Sequence, residues 1–359
     1  MKASKKIAID CRSAINPHTG IGMYINGLVS HLRNKKNKYF LVCYEGFTVK
    51  NLHGLQFEYI RVKKTNKHIE NQIVIPYEIY KRKFDLYHVT HHDVFPLLYF
   101  KKTIVSVMDI FWIDYKNDSS PLFKLLYYLI TISSIKRANK VITISMSTKK
   151  SIEKKFKLSP RKAESILISC DDGYVKTKKS KNLKELNPYI LYVGSAAKRK
   201  NIEIFEFVDN ELKKLGHTIN FILITKKTGK SDLELSYFYE KDNFIVDHND
   251  YSVKELSEFY SNCLVFIFPS FYEGFGLPAL EAIKCGAIPI VSNCTSLPEI
   301  VNNKELIVSP NDFETISNKI IKLTDNQEYR NKILNELSVV SKSFNWDITS
   351  KKTELLYEI

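Results

Sequence analysis

No run of about 18 uncharged apolar residues occurs anywhere in the 359-residue sequence, which excludes a membrane-spanning helix of ordinary length. Met1-Lys-Ala-Ser-Lys-Lys leads directly into a short apolar run instead of the longer apolar region of a signal peptide. The expectation is a cytoplasmic chain that neither spans a membrane nor is exported. Paired cysteines are also lacking. Cys11, Cys43, Cys170, Cys263, Cys285 and Cys294 are scattered without a C-x-x-C spacing and mostly lie in apolar runs, the pattern of reduced buried thiols rather than of a disulfide framework or a zinc site. Acidic residues are in deficit, 39 against 54 Lys and Arg, for a net charge of +15. That balance calls for an anionic partner: nucleic acid, a membrane surface or a phosphorylated substrate. Charge alone does not choose among them, and short lysine runs such as Lys176 to Lys184 are equally those of a solvated face.

What is present describes a folded two-domain chain. A hydrophobic fraction of 44% with 26% charged residues is globular, and the length exceeds what one core usually serves. Short β-rich runs alternate with stretches long enough for helices, at Lys6–Asp10, Tyr39–Tyr44, Leu86–Thr90, Thr103–Asp109, Lys140–Ser145 and Ser165–Ser169. A second series follows at Tyr189–Val193, Asn220–Thr225, Asn243–Asp247, Leu264–Pro269, Ile288–Ser292 and Glu305–Val308. This alternation predicts βαβ units and parallel sheets. The fold class is α/β, with one doubly wound domain over 1–172, a Lys-rich linker over 173–187, and a second domain over 188–343. A C-terminal helix over 344–359 is expected to pack back on the first domain.

Three segments carry chemistry. In Pro269-Ser-Phe-Tyr-Glu-Gly-Phe-Gly-Leu-Pro-Ala-Leu-Glu281 a strand turns into a helix that stops at Gly286. Gly274 and Gly276 let backbone approach a ligand, the helix start near Pro278 offers the positive end of its dipole, and Glu273 and Glu281 can flank one bound molecule. The bland alternative is a glycine-rich turn with a capping Glu. In Tyr192-Val-Gly-Ser-Ala-Ala-Lys-Arg-Lys-Asn201 a strand ends at Gly194 and a helix is expected to begin near Asn201, which sets Arg199 and Lys200 where a diphosphate is neutralised. A basic surface turn is the alternative. Both segments lie at carboxyl ends of strands in one half, where open α/β sheets bind ligands, and together they indicate a nucleotide diphosphate. The third, Asn16-Pro-His-Thr-Gly-Ile-Gly-Met-Tyr-Ile-Asn-Gly27, follows the first strand and opens the first helix, and it departs from the dinucleotide fingerprint in its glycine spacing. It reads as a flexible loop touching a phosphate or acceptor, or as a simple tight turn. Gly229-Lys230-Ser231 fails as a Walker motif because Ile224 stands where the first Gly is required. His88, His91 and His92 lack the paired Cys or carboxylate spacing that would complete a metal ligand set.

These residues resemble the family-4 glycosyltransferases, retaining enzymes with the GT-B fold of two facing Rossmann-like domains and an interdomain cleft. Glu273-Gly-Phe-Gly-Leu-Pro-Ala-Leu-Glu281 is similar to the family's Glu-x7-Glu motif, Val193 to Asn201 to its phosphate-binding turn, and Asp10-Cys-Arg12 with Thr19-Gly-Ile-Gly22 to its N-terminal glycine loop. Val141-Ile-Thr-Ile-Ser145 is similar to a strand whose last Ser commonly faces the cleft. The resemblance implies catalytic roles for Glu273, Lys200 and Arg199, with Glu273 beside the transferred sugar and the two cations on the diphosphate. It implies donor contacts from Glu281 (to the ribose hydroxyls), Gly274, Phe275, Gly276, Leu277, Gly194, Gly22 and Ser145, and cleft or acceptor contacts from Gly20, His91, His92 and Asp109. Two departures stand out. Met108-Asp109 occupies the place where many members carry His-Asp, so His91 or His92 supplies that contact or the site works without it. Ser169-Cys-Asp-Asp-Gly-Tyr174 replaces the usual Asn-Gly turn.

The expected function is a retaining, metal-independent hexosyltransferase without a cofactor. It would move a sugar, with GDP-mannose slightly favoured over a UDP-hexose or dTDP-deoxysugar, to a glycan or polyprenyl-diphosphate-linked acceptor in surface polysaccharide assembly. Peripheral contact with an anionic membrane face is expected and nucleic acid is not. The competing readings are a nucleotide-sugar epimerase or hydrolase of the same fold, and a basic nucleic-acid-binding protein.

Overall fold

A computed structural model describes residues 4–49, 55–66, 69–92, 102–115, 120–178, 188–226 and 231–359, with the backbone alone at 231–234. The chain divides into two compact units, Met1–Ser169 with Phe344–Ile359, and Cys170–Ser343. The greater part of the expected linker, residues 179–187, lies outside the described residues, as do Gly229 and Lys230.

In the first unit the strands are β1 (Lys6–Asp10), β2 (Lys38–Tyr44), β3 (Phe57–Val62), β4 (Leu86–Val89), β5 (Thr103–Val107), β6 (Lys140–Thr143) and β7 (Ala163–Ser165). They form one sheet in the order β3-β2-β1-β4-β5-β6-β7, with every pairing parallel. Ile7, Ala8 and Ile9 are fully buried, as expected of a strand covered on both faces. The Gly20–Ser30 helix and the C-terminal Trp346–Leu356 helix pack together. At Gly27 an added Cβ would come within 2.2 Å of the Trp346 indole, so that glycine is the seat of the tryptophan ring. Lys5 Nζ fastens the tail by donating to the carbonyls of Tyr357 and Ile359 at 3.0 and 2.8 Å.

The second unit holds β8 (Tyr189–Val193), β9 (Asn220–Ile224), β10 (Phe244–Asp247), β11 (Val265–Phe268), β12 (Pro289–Ser292) and β13 (Ile307–Val308). Their order is β10-β9-β8-β11-β12-β13, again all parallel. Both sheets are therefore doubly wound, and their order reverses between β1 and β4 and between β8 and β11. Among the described residues no helix is long and apolar enough to cross a membrane.

Three local expectations are corrected. Residues 166–169 carry no strand. The Thr143 end of β6 pairs with Ser165 instead, and the alternating burial of Ile166 and Ile168 mimics a strand's period of two. The β3 segment, Phe-Glu-Tyr-Ile-Arg-Val, escapes an apolar-run criterion because it is the edge strand and exposes Glu58 and Arg61. The segment Asn16 to Gly27 does open the first helix as expected, but the flexible-loop reading fails at its glycines, since Gly20, Gly22 and Gly27 all lie within that helix.

Candidate functional site

The point where the second sheet reverses order is the place at which an open α/β sheet leaves a crevice beyond its strand ends. The segments that leave β8 and β11 meet there. After β8 the chain passes Gly194, where an added Cβ would meet Tyr192 Oη at 2.7 Å. It then makes a 3-10 turn over Lys198–Lys200, closed by Asn201 in the left-handed region at φ 56°. The α-helix begins only at Ile204, so Arg199 and Lys200 stand in that turn rather than at the helix N-terminus expected near Asn201. The turn is tied to the β11 segment by backbone. Phe271 N donates to Arg199 O at 2.8 Å, and Asn201 Nδ2 reaches Pro269 O at 3.3 Å and Pro310 O at 2.7 Å.

After β11, Glu273 turns back onto the basic turn. Lys200 Nζ donates to Glu273 Oε1 at 2.5 Å, and Arg199 Nη1 lies 3.5 Å from Glu273 Oε2 while donating to Tyr272 O at 3.1 Å. The Lys200 and Glu273 side chains are 9% and 10% exposed, so this ion pair is made almost out of water. The ammonium also sits 4.7 Å from the Phe268 ring centroid, a cation–π arrangement. Burial pushes the Lys200 pKa below its ordinary value, and the Glu273 charge opposes that shift.

The loop that carries Glu273 is held from the β12 side. Glu273 N donates to Thr295 Oγ1 at 2.9 Å, and Ser296 Oγ bridges the carbonyls of Glu273 and Phe275 at 3.0 and 2.6 Å. Gly276 precedes the Leu277–Lys284 helix with φ at 113°, and a Cβ there would lie 2.5 Å from Leu297 Cδ2. Only glycine suits both the angle and the space. The helix therefore starts with its positive dipole end beside the Gly274–Leu277 backbone. Gly286, at φ 79°, ends it.

Glu281 lies on the buried side of that helix, 6% exposed, and Tyr260 Oη donates to its Oε2 at 3.0 Å. Burial raises its pKa to about 7, against hydrogen bonds from Tyr260 and Tyr174 that favour the carboxylate. Neither tyrosine was singled out from sequence. Tyr260 is 21 residues from Glu281, on a separate helix, and no local pattern marks the contact.

In the first unit the structure places the remaining candidates individually. Thr19 caps the first helix by accepting from Gly22 N at 3.1 Å, and Gly22 has no room for a side chain because Asn16 O occupies the Cβ position. Ser145 is fully buried. Its hydroxyl accepts from Thr148 N at 3.1 Å and lies 2.9 Å from Thr148 Oγ1, so it caps the Met146–Phe156 helix. Asp109 Oδ1 accepts from Phe111 N at 3.0 Å. His92 is buried with Nε2 2.8 Å from Tyr127 Oη, and its ring lies 4.7 Å from that of the more exposed His91. His88 belongs to the β4 core, between Tyr357 Oη and Ser106 Oγ, each 2.8 Å away. Burial drops its pKa to about 3, so it is neutral. Among the described residues no three His, Cys, Asp or Glu side chains are grouped to hold a metal ion.

Where the first sheet reverses order, an ion-pair network absent from the sequence reading closes the end of β1. Arg12 Nε and Nη2 donate to Asp10 Oδ1 and Oδ2 at 3.0 and 2.6 Å, and its Nη1 reaches Glu70 Oε2 at 3.1 Å. Tyr87 Oη donates to Asp10 at 3.0 Å and Tyr44 Oη to Glu70 at 2.8 Å.

Comparison with known proteins bears on the second unit most directly. Residues 175–336 match the family described as "Glycosyl transferases group 1". These residues are a group 1 glycosyltransferase domain. Both Arg199-Lys200 and the Glu273–Glu281 segment fall inside it, which is the family resemblance read from those motifs. The chain is 26% identical over 240 residues to O-antigen chain mannosyltransferase B of Escherichia coli, covering 63% of this chain and 62% of that protein. It is 30% identical over 232 residues to O-antigen chain mannosyltransferase RfbU of Salmonella typhimurium, covering 62% and 60%. The matched region thus spans about three fifths of those relatives. Among solved structures, Anabaena Alr3699/HepE in complex with UDP and glucose superposes with a TM-score of 0.75 at 14% identity, covering 99% of this chain and 100% of that one. The group 1 domain is therefore one half of a GT-B fold.

Proposed function

We propose that the chain transfers a hexose, with retention of anomeric configuration, from a nucleotide-sugar to a glycan or polyprenyl-diphosphate-linked acceptor of surface polysaccharide. GDP-mannose is the favoured donor, in keeping with the mannosyltransferases to which the chain is similar. The reading rests on one observation: a nearly dry Lys200–Glu273 pair, with the partly exposed Arg199 beside it, lies beyond the strand ends where the second sheet reverses, beside a helix N-terminus.

Departure of a nucleoside diphosphate builds negative charge on the leaving oxygens and positive charge at the anomeric carbon. Arg199, Lys200 and the start of the Leu277–Lys284 helix meet the first requirement with preorganised charge. Glu273 meets the second or orients sugar hydroxyls. An arriving diphosphate competes with Glu273 for the same two cations, so donor binding frees the carboxylate to turn toward the sugar. Glu281, held by Tyr260, accepts from the ribose hydroxyls. No divalent metal is required by this scheme. The acceptor chemistry places the work at the cytoplasmic side of a membrane.

The test is thermal stabilisation by GDP, UDP and dTDP in EDTA, on the wild type and on Glu281→Gln, followed by NMR of the anomeric product. A ligand at 100 times its Kd adds roughly 2.7 kcal/mol. A GDP-selective shift that is lost in the variant, with an α-linked product from GDP-mannose, is expected. No shift with any nucleotide at millimolar concentration would remove the reading.

A further inference from the structure

We propose that Thr295 is a positioning residue for the transfer step, which keeps the Glu273 carboxylate in place through a strained turn and a hydrogen bond to the Glu273 backbone. The inference deepens the proposed function and rests on the role given there to Glu273.

The starting observation is a backbone angle. Thr295 has φ 49°, in the left-handed region where Cβ crowds the following carbonyl. A branched Cβ makes that crowding worse, so threonine is an outlier there. Among the described non-glycine residues with positive φ, Thr295 is the one that is β-branched. Lys157, Asn201 and Asn302 enter the same region to close helical turns. Thr295 closes none, and lies in the turn between β12 and the Leu297–Val301 helix. Gly or Asn would fill such a turn at less cost, so a strained threonine that persists calls for a use of its side chain.

The hydroxyl shows what that use is. Thr295 Oγ1 accepts from Glu273 N at 2.9 Å. The next residue, Ser296, donates from Oγ to Glu273 O at 3.0 Å and to Phe275 O at 2.6 Å. Both backbone polar groups of Glu273 are thus taken by two consecutive side chains, of which Ser296 is fully buried. The same segment grips the loop on either side. Ser292 Oγ donates to Ser270 O at 2.5 Å, and Leu297 Cδ2 occupies the space beside Gly276.

This clamp acts on the backbone, whereas Lys200 and Arg199 hold the carboxylate end. The two holds part when a donor arrives. Its diphosphate takes the two cations, and the carboxylate then keeps its place only through the backbone from which it extends. Thr295 therefore serves the step after donor binding. The binding itself falls to Arg199, Lys200 and Glu281. A displacement of about 1 Å in a group that meets the reacting carbon is enough for a loss of about 100-fold in rate.

The experiment compares Thr295→Ala, which removes the hydroxyl, with Thr295→Ser, which keeps it without the second branch. Thr295→Gly removes hydroxyl and strain together, so the backbone angle cannot prevent its folding. Calorimetry gives the Kd for GDP. Release of GDP from GDP-mannose gives kcat and KM, with octyl mannoside as acceptor and with water alone. Thr295→Ala and Thr295→Gly should lower kcat by about tenfold or more while the Kd for GDP stays within about twofold. Thr295→Ser should hold kcat within about threefold of the wild type. In the Glu273→Gln background Thr295→Ala should add no further loss, because it acts through that carboxylate. The proposal is overturned by a wild-type kcat in both hydroxyl-free variants, by a loss that Thr295→Ser shares, or by a loss that multiplies with that of Glu273→Gln. A wild-type kcat in Glu273→Gln itself would instead remove the role of Glu273, and the proposal with it.

Discussion

Lys200 and Glu273, 73 residues apart, are locked by a 2.5 Å hydrogen bond with both side chains about nine-tenths buried. Removing one charge from such a pair leaves the other without compensation, a cost of about 3–5 kcal/mol. Lys200→Met should approach that figure in urea denaturation, because Arg199 at 3.5 Å offers Glu273 only a partial substitute. Glu273→Gln should cost less, since Lys200, whose pKa burial already lowers, can release its proton. The same variant should keep nucleotide-induced stabilisation yet lose about 100-fold or more in transfer rate. Equal stabilities for Lys200→Met and the wild type would mean that the pair is solvated.

Glu281 makes stability fall with rising pH. Its carboxyl is raised by burial from an ordinary 4.5 to about 7, so the folded chain holds a proton that the unfolded chain has released. The contribution is complete below about pH 4.5 and is lost as pH rises through 7, with roughly 3 kcal/mol at stake. Urea denaturation of the wild type and Glu281→Gln at pH 5 and pH 8 measures it. The wild type should lose stability relative to the variant over that interval, and parallel curves would show that the carboxyl is already ionised at pH 5.

Much of the architecture is legible in sequence for a physical reason. Parallel strands buried on both faces are rich in continuous apolar residues; β8 and β11 are apolar throughout, and β1 has Ile7-Ala8-Ile9 at its centre. The edge strand β3 is half-solvated and carries no such mark. The helix opening at Gly20 is legible, whereas the loop reading of Gly22 misleads, because the Thr19-capped helix takes a glycine where Asn16 O occupies the Cβ position. Asn201 likewise postpones a helix by adopting the left-handed region. The residue types of the candidate site are visible as local motifs, whereas their partners are not. Lys200 finds Glu273, and Glu281 finds Tyr260, only after β8 and β11 become neighbours.

Gly276 should be intolerant of any side chain. Alanine there meets both an unfavourable φ of 113° and a contact of 2.5 Å with Leu297 Cδ2, which together cost about 2–4 kcal/mol. The double variant Gly276→Ala/Leu297→Ala separates the two causes. It relieves the contact and leaves the backbone angle, while adding the cost of a Leu297 cavity. In a double-mutant cycle by urea denaturation, a favourable coupling of about 1 kcal/mol or more is expected, and strict additivity would place the whole penalty on the backbone angle.

The Asp10–Arg12–Glu70 network should anchor the first unit and give it an acid-sensitive component. Burial alone favours a neutral Asp10, but the Arg12 charge and hydrogen bonds, with Tyr87, outweigh it and hold the carboxyl below its ordinary value. A depressed carboxyl contributes stability that is present above its ordinary pKa of about 4 and is lost as pH falls through the folded value. Arg12→Met leaves two buried carboxylates unpaired and should cost about 3–5 kcal/mol near pH 7. That deficit should shrink as the pH is lowered, because the orphaned Asp10 carboxyl then takes up a proton and ceases to repel Glu70. Urea denaturation at pH 7 and pH 4 measures both halves of the statement. A deficit that stays constant between the two values would assign the loss to packing of the arginine stem rather than to its charge.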